Sequence, residues 1–383
     1  MSDILKFESM KKNKKSVGVI TMHRVINYGS FLQAYATQKV IERLGMECTI
    51  IDYVFPNNWH YSNGLKKPTG IKPFLSKYIY PLGLTKGHKK TKAINSAINK
   101  YLNLSKKYES PESIVENPPI FDVYVTGSDQ TWNPKHTKGD EVFFLTFAPK
   151  EKKKISFSAS LAAANISDTH KASFKKSLMN YDYISIRDSN GNKIINELLS
   201  EDAAVTLDPT LMLDKVDWAN FGKNKNDIFE CENYIVFYLI THSFDSTPYI
   251  YELLKELQLK TGFKVYSFSK IPKKYGIKYE LCTTLSVEHF IQLYQHASFV
   301  VTSSFHGTAF AANFGIPMYS VVESLDFADD RQASLLTKLS IENCLVPTGK
   351  GFKDINPYYD VKMQQKKLNE LRKESLDYLG NSL

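Results

Sequence analysis

At 383 residues the chain is too long for one ordinary hydrophobic core, and two domains of somewhat under 200 residues each are expected. Hydrophobic content of 43% and charged content of 23% are globular values and exclude a disordered chain. The net charge of +9 lies largely in lysine clusters (Lys11, Lys12, Lys14, Lys15; Lys86, Lys89, Lys90, Lys92; Lys150, Lys152, Lys153, Lys154), but no nucleic-acid motif accompanies them, so nucleic acid is not an expected partner.

In chain order, residues 17–22 (VGVITM) form a short apolar strand, followed by a polar turn at 23–29. A helix fits residues 30–44, with Leu32, Ala36, Val40 and Leu44 at four-residue spacing and Gly45 as its stop. Residues 48–54 (CTIIDYV) are the next strand, which makes a β-α-β unit and implies a parallel sheet. Residues 56–119 are lysine-rich and irregular, an insertion over that sheet. Strands resume at 121–125, 154–158, 183–186 and 203–207, and Asp208-Pro209 closes this half.

A second series begins near Asn233, with strands at 234–240, 263–268, 299–302 and 318–322. Helices fall at 247–259, after the capping Ser286, at 307–314 and at 362–379, the last amphipathic with Leu368, Leu371 and Leu379 towards a core. The expected architecture is α/β: two Rossmann-like domains, residues 1–220 and 221–383, facing a cleft and closed by the C-terminal helix.

In an open parallel sheet, ligands bind beyond the carboxyl ends of the strands. Four such ends carry chemistry. The first is Thr302-Ser303-Ser304-Phe305-His306-Gly307-Thr308, where hydroxyls, an imidazole and the N–H groups of a helix start could hold an anion. The bland alternative is a capped helix with His306 packed inside. The second is the loop containing Gly127, Ser128, Asp129, Gln130 and Trp132; there Asp129 could enter the crevice or merely make an Asx turn. The third is Asn27-Tyr28-Gly29-Ser30, which lacks the glycines of a dinucleotide fingerprint. The fourth is Arg187-Asp188, either an oxyanion grip or an ordinary ion pair. His242 is a lesser candidate, and Asp208-Pro209-Thr210 reads as a turn. No metal-ligand spacing is visible, so no metal is expected.

Together these segments resemble the polysaccharide pyruvyl transferase family. The resemblance rests on Asn27 to Tyr35 (NYGSFLQAY), Gly127 to Pro134 (GSDQTWNP) and Ser304 to Ala311 (SFHGTAFA), with Arg187-Asp188 and Asp208-Pro209 in order between them. It implies a GT-B-like arrangement and transfer of an enolpyruvyl unit from phosphoenolpyruvate to a sugar, with no other cofactor. It places Arg187 and His306 on the donor. Many members have Arg-Leu-His where this chain has Ser304-Phe305-His306, so another cation must help, with Arg24 and Arg331 as candidates.

On that resemblance the C-terminal domain is the donor side. His306 is the expected acid and Asp129 the expected base, while Arg187, Ser303, Ser304, Gly307 and Thr308 hold the donor. Asn27, Tyr28, Gln33, Ser128, Gln130 and Trp132 would meet a sugar or lipid-linked oligosaccharide acceptor. A helix N-terminus disfavours a charged imidazole, so free His306 is expected to be neutral. The alternatives are a nucleotide-sugar glycosyltransferase and a non-catalytic glycan-binding protein.

The four cysteines, Cys48, Cys231, Cys282 and Cys344, form no close pair and read as reduced thiols. The first fifteen residues lack the apolar core of a signal peptide, and the expected location is the cytoplasm. The lysine clusters would suit contact with the inner membrane face.

Overall fold

The computed structural model describes residues 14–56, 86–223, 229, 233–326 and 329–383. Of the expected insertion, residues 57–85 lie outside the described residues, and 86–119 carry the helices Lys86–Tyr101 and Pro111–Glu116.

The first sheet contains β1 (Ser16–Ile20), β2 (Glu47–Ile50), β3 (Val123–Thr126) and β4 (Lys153–Ser156), all parallel, in the order β2-β1-β3-β4. A short pair, β5 (Ser185–Ile186) and β6 (Ala204–Val205), continues from β4 through single bridges at Ile155–Tyr183 and Ala159–Ile186.

The second sheet comprises β7 (Tyr234–Tyr238), β8 (Lys264–Ser267), β9 (Tyr279–Leu281), β10 (Phe299–Thr302), β11 (Met318–Val322) and β12 (Leu345–Pro347). Its order is β12-β11-β10-β7-β8-β9, parallel throughout, with the chain reversing direction across the sheet between β7 and β10. This is the doubly wound order whose crevice, at the reversal point, opens above the strand ends. The central strands YIVFY and FVVT are buried at every position, as strands covered on both faces must be.

The helix Tyr28–Arg43 begins two residues before the hydrophobic spacing suggests, because the Asn27 side chain accepts the Gly29 N–H at 2.8 Å. The helix Phe305–Phe314 likewise begins early, capped by Ser304 accepting from Gly307 N–H. These caps turn two expected loops into first helical turns and bring their side chains to the mouth of the fold.

The two sheets do more than face each other. One continuous core includes Val17 and Val19 of β1, Phe31 of the first helix, and Val300 of β10. Tyr28 stacks on Phe290 at 4.6 Å and donates to the Leu285 carbonyl at 2.8 Å. The C-terminal helix Val361–Ser382 buries Leu368 and Leu379 and reaches back to the first sheet, where Tyr378 donates to the Ser156 carbonyl at 3.1 Å. Two of the lysines do not sit on a solvated face: Lys154 is buried and Lys90 lies over the Tyr28 ring at 5.3 Å. Cys48, Cys282 and Cys344 are buried free thiols, and Cys231 lies outside the described residues.

Candidate functional site

A cleft opens where the strand ends of the two sheets meet. Met22, Val25, Phe55, Ile240 and Phe244 form its apolar wall. Its polar wall includes Asn27, Ser30, Asp129, Gln130, Ser303, Ser304 and His306. The three motifs, widely separated in the chain, thus converge on one space.

Beneath this wall lies a buried ionic layer. Arg187, with a side chain only 1% exposed, pairs with Asp208 through Nη1 and lies 3.4 Å from Asp129 through Nη2. Ser128 donates to Asp208 at 3.0 Å and Ser30 to Asp129 at 2.6 Å. Burial pushes both carboxyls up, but Arg187 foremost, with hydrogen bonds from Ser30 to Asp129 and from Thr210 to Asp208, outweighs it and holds both below the usual carboxylate range. Asp129 takes a left-handed backbone conformation, φ +76°, strain of a kind concentrated at working sites. The Arg187 guanidinium also lies 4.5 Å from the Phe305 ring centre, a cation–π contact that ties the two sides together.

His306 sits above this layer. Its Nε2 is buried, has no hydrogen-bond partner among the described residues, and lies 3.8 Å from Asp208. Burial favours the neutral imidazole against Asp208 and Asp129, which favour the cation, and burial wins, so its pKa is lowered. The neutral resting state follows from desolvation together with Arg187 and Arg331.

Several expected contacts fall elsewhere. Arg187 is not on the cleft wall; its charge acts from below, on Asp129 and Asp208. The Gly307 N–H already donates to Ser304 Oγ, and the Thr308 N–H to the Ser304 carbonyl at 2.9 Å, so neither is available to clamp a donor. Thr308 Oγ1 is shared with Ser320 at 2.7 Å. Gly307 serves close packing, since a Cβ there would lie 2.4 Å from Thr302 Oγ1. Ser303 lines the cleft, yet its hydroxyl donates to the Ile240 carbonyl at 2.8 Å.

Of the expected acceptor residues, Asn27 and Gln130 line the cleft and four do not. Tyr28 belongs to the core. Gln33 donates to Thr21 Oγ1 and the Ser30 carbonyl, and Ser128 to Asp208. Trp132 is buried, stacked on Phe144 at 5.6 Å, with its indole N–H on the Phe143 carbonyl. Apolar burial claims its whole surface, leaving no face for a sugar.

Asp208 is no mere turn residue; it is the carboxylate nearest His306. The end of a short strand was the signal for it. Asp188 is not the main partner of Arg187: it occupies the cap position of helix Ser189–Leu199, fully buried, beside the Ser160 hydroxyl. Arg24 is taken up by Asp52, at 2.7 and 2.6 Å. Arg331 does reach the cleft, bound to Asp329 at 2.6 and 2.5 Å and lying 5.6 Å from the Phe305 ring centre. His136 and His242 also line the cleft. Their only sequence signal was proximity to strand ends, and Arg331 follows no strand directly. Among the described residues no group of three or more His, Cys, Asp or Glu could hold a metal ion, and no helix is long and apolar enough to cross a membrane.

The family model for polysaccharide pyruvyl transferase matches residues 27–324. No curated protein matches the chain in sequence. Among solved structures, the UDP-GlcNAc 2-epimerase of Methanocaldococcus jannaschii is similar at TM-score 0.51 and 11% identity, covering 94% of this chain and 99% of that one. A structure of S. aureus MnaA with UDP is similar at TM-score 0.50 and 12% identity, covering 94% and 96%. At such identities the likeness is one of fold: the two-domain, GT-B-type arrangement of Rossmann-like units.

Proposed function

This chain belongs to the polysaccharide pyruvyl transferase family, a family of transferases, and on that premise we propose that it moves the enolpyruvyl group of phosphoenolpyruvate onto two hydroxyls of a sugar. The product is a cyclic pyruvate ketal on a bacterial surface polysaccharide or its precursor. One hydroxyl adds to C2 of the donor while C3 takes a proton. The second hydroxyl then displaces phosphate from C2 and closes the ring.

The observation that carries the reading is the buried His306 imidazole poised above Asp208 in a cleft with one apolar wall. Its neutral resting form can accept the hydroxyl proton and, as imidazolium, deliver it to C3. Asp208 and Asp129 would stabilise that cation. Asp129 is a poor base, because Arg187 and Ser30 satisfy its charged form, and its role becomes electrostatic. Arg331 supports donor binding in place of the arginine that Ser304 replaces.

A sugar carried on a membrane lipid, met at the cytoplasmic face, suits the net charge of +9. The test is incubation with phosphoenolpyruvate and candidate acceptors. Phosphate release with a matching mass gain on the sugar is the expected result. Thermal stabilisation by uridine nucleotides and not by phosphoenolpyruvate would overturn it in favour of a glycosyltransferase.

A further inference from the structure

Two histidines in the cleft have no part in the chemistry above. His136 comes from the one-turn helix Pro134–Thr137 beyond β3, and His242 from the loop after β7, so they belong to opposite halves of the fold. Their rings meet edge to face, 5.7 Å between centres at 79°. Both line the cleft together with Asp329 and Arg331.

The charges around them set a problem for an anionic ligand. Asp129, Asp208 and Asp329 are carboxylates, all held below the usual range by neighbouring cations that outweigh burial. Arg187 and Arg331 are the guanidiniums facing them. Lys135 adds a third cation beside the pair, so with neutral imidazoles three negative charges meet three positive ones and no charge is left over to hold a phosphate dianion. Each imidazole that gains a proton adds one positive charge.

We propose that His136 and His242, paired across the cleft beside Arg331, form an anion subsite for the phosphate of a phosphorylated ligand. The proposal rests on the reading above, in which that ligand is phosphoenolpyruvate, and it extends that reading to the place and protonation of the phosphate.

The pair is built to load protons only when filled. Burial pushes His242 down to about 4, helped by Arg331 and His136 against Asp129 and Asp329. Burial also lowers His136, with Arg331 and Lys135 opposing imidazole charge and Asp129 and Asp329 favouring it. Both rings are therefore neutral near pH 7 in the empty protein. A dianion seated against the exposed edges of both rings reverses the balance, and both become charge-assisted donors. Because the rings come from opposite halves, one anion would join the two sides of the cleft.

Sulfate is the cleanest probe, since it keeps both charges throughout the neutral range; inorganic phosphate and phosphoenolpyruvate follow. Calorimetric titration in buffers of different ionisation heat reads proton uptake directly. The wild type should take up protons on binding each anion, and its affinity for sulfate should fall as pH rises from about 6 to 8. His136→Gln and His242→Gln keep a hydrogen-bonding side chain but cannot charge. Each should bind anions about tenfold more weakly, the scale of one charge-assisted hydrogen bond, with reduced proton uptake.

Sulfate binding by the wild type without proton uptake overturns the proposal, as does unchanged binding in both variants. No measurable binding of any of the three anions by the wild type overturns it as well. If the variants match wild type while wild type pyruvylates a sugar, the subsite falls and the proposed function stands. If anion binding behaves as expected but no ketal forms on any acceptor, the proposed function falls and the subsite stands.

Discussion

The His306 ring fills the space that a side chain on Gly29 would need: a Cβ built on Gly29 would lie 2.1 Å from Nδ1 of His306. Gly29 lies in the first turn of the helix Tyr28–Arg43, and His306 in the first turn of the helix Phe305–Phe314. Each half of the fold thus fixes a critical group of the other. The missing side chain at position 29 lets the two helix starts approach and holds the imidazole over Asp208.

Gly29→Ala is expected to displace His306 more than it unfolds the protein. Overpacking of this kind costs about 1–3 kcal/mol. Pyruvyl transfer should fall to a small fraction of wild type while the melting temperature drops only modestly. Parallel turnover and thermal melts check it; a variant with wild-type turnover would show that the His306 position is not critical.

His306→Ala should abolish most turnover with the fold intact. Loss of one general acid–base group typically removes about two to four orders of magnitude in rate. Near-normal ketal formation, measured as phosphate release, would remove His306 from the mechanism.

Arg187→Met leaves Asp208 and Asp129 buried without their main counter-charge. Breaking a buried pair from one side costs about 3–5 kcal/mol. Chemical denaturation should show that loss, and the double variant Arg187→Met, Asp208→Asn should recover much of it. A single variant as stable as wild type would mean that the buried carboxylates are held some other way.

Asp330 offers a test by pH. Its carboxyl is pushed up to about 6, first by burial and then by Asp188 across the domain contact. The native state therefore binds more protons than the unfolded chain between about pH 4 and 6, and stability is lost as pH rises through that window. Asp330→Asn keeps an acceptor for the Asn190 N–H, which Asp330 binds at 3.0 Å. The variant should match wild type near pH 4 and exceed it by about 1 kcal/mol above pH 6, the shift discounted for partial exposure. Urea midpoints at both pH values decide it; a variant less stable at pH 7 would contradict the sign.

The strands were legible because parallel, doubly covered strands read as unbroken apolar runs, as in YIVFY and FVVT. Helix starts were misplaced by two residues, since a cap such as Asn27 or Ser304 leaves no mark on hydrophobic spacing. The strands β9 and β12 and the helix Arg331–Lys338 went unread; each strand has three residues, and the helix has eight, too few for its period to stand out along the chain.

By itself the amino-acid order determined the α/β alternation, the strand ends where chemistry gathers, and the motif triad that marks the family. Those are local properties, set by side-chain period and turn chemistry along a few residues. Only the tertiary structure decided which motif residues face the cleft. Trp132 and Tyr28 were drawn into the core by apolar burial, and Arg187 into a layer of carboxylates by charge pairing. Arg331, His136 and His242 were brought in by the approach of two sheets whose strands lie far apart in the chain. Burial and long-range electrostatics act between segments that adjoin only once the two halves have packed, with Gly29 making room for His306 at the point where they meet.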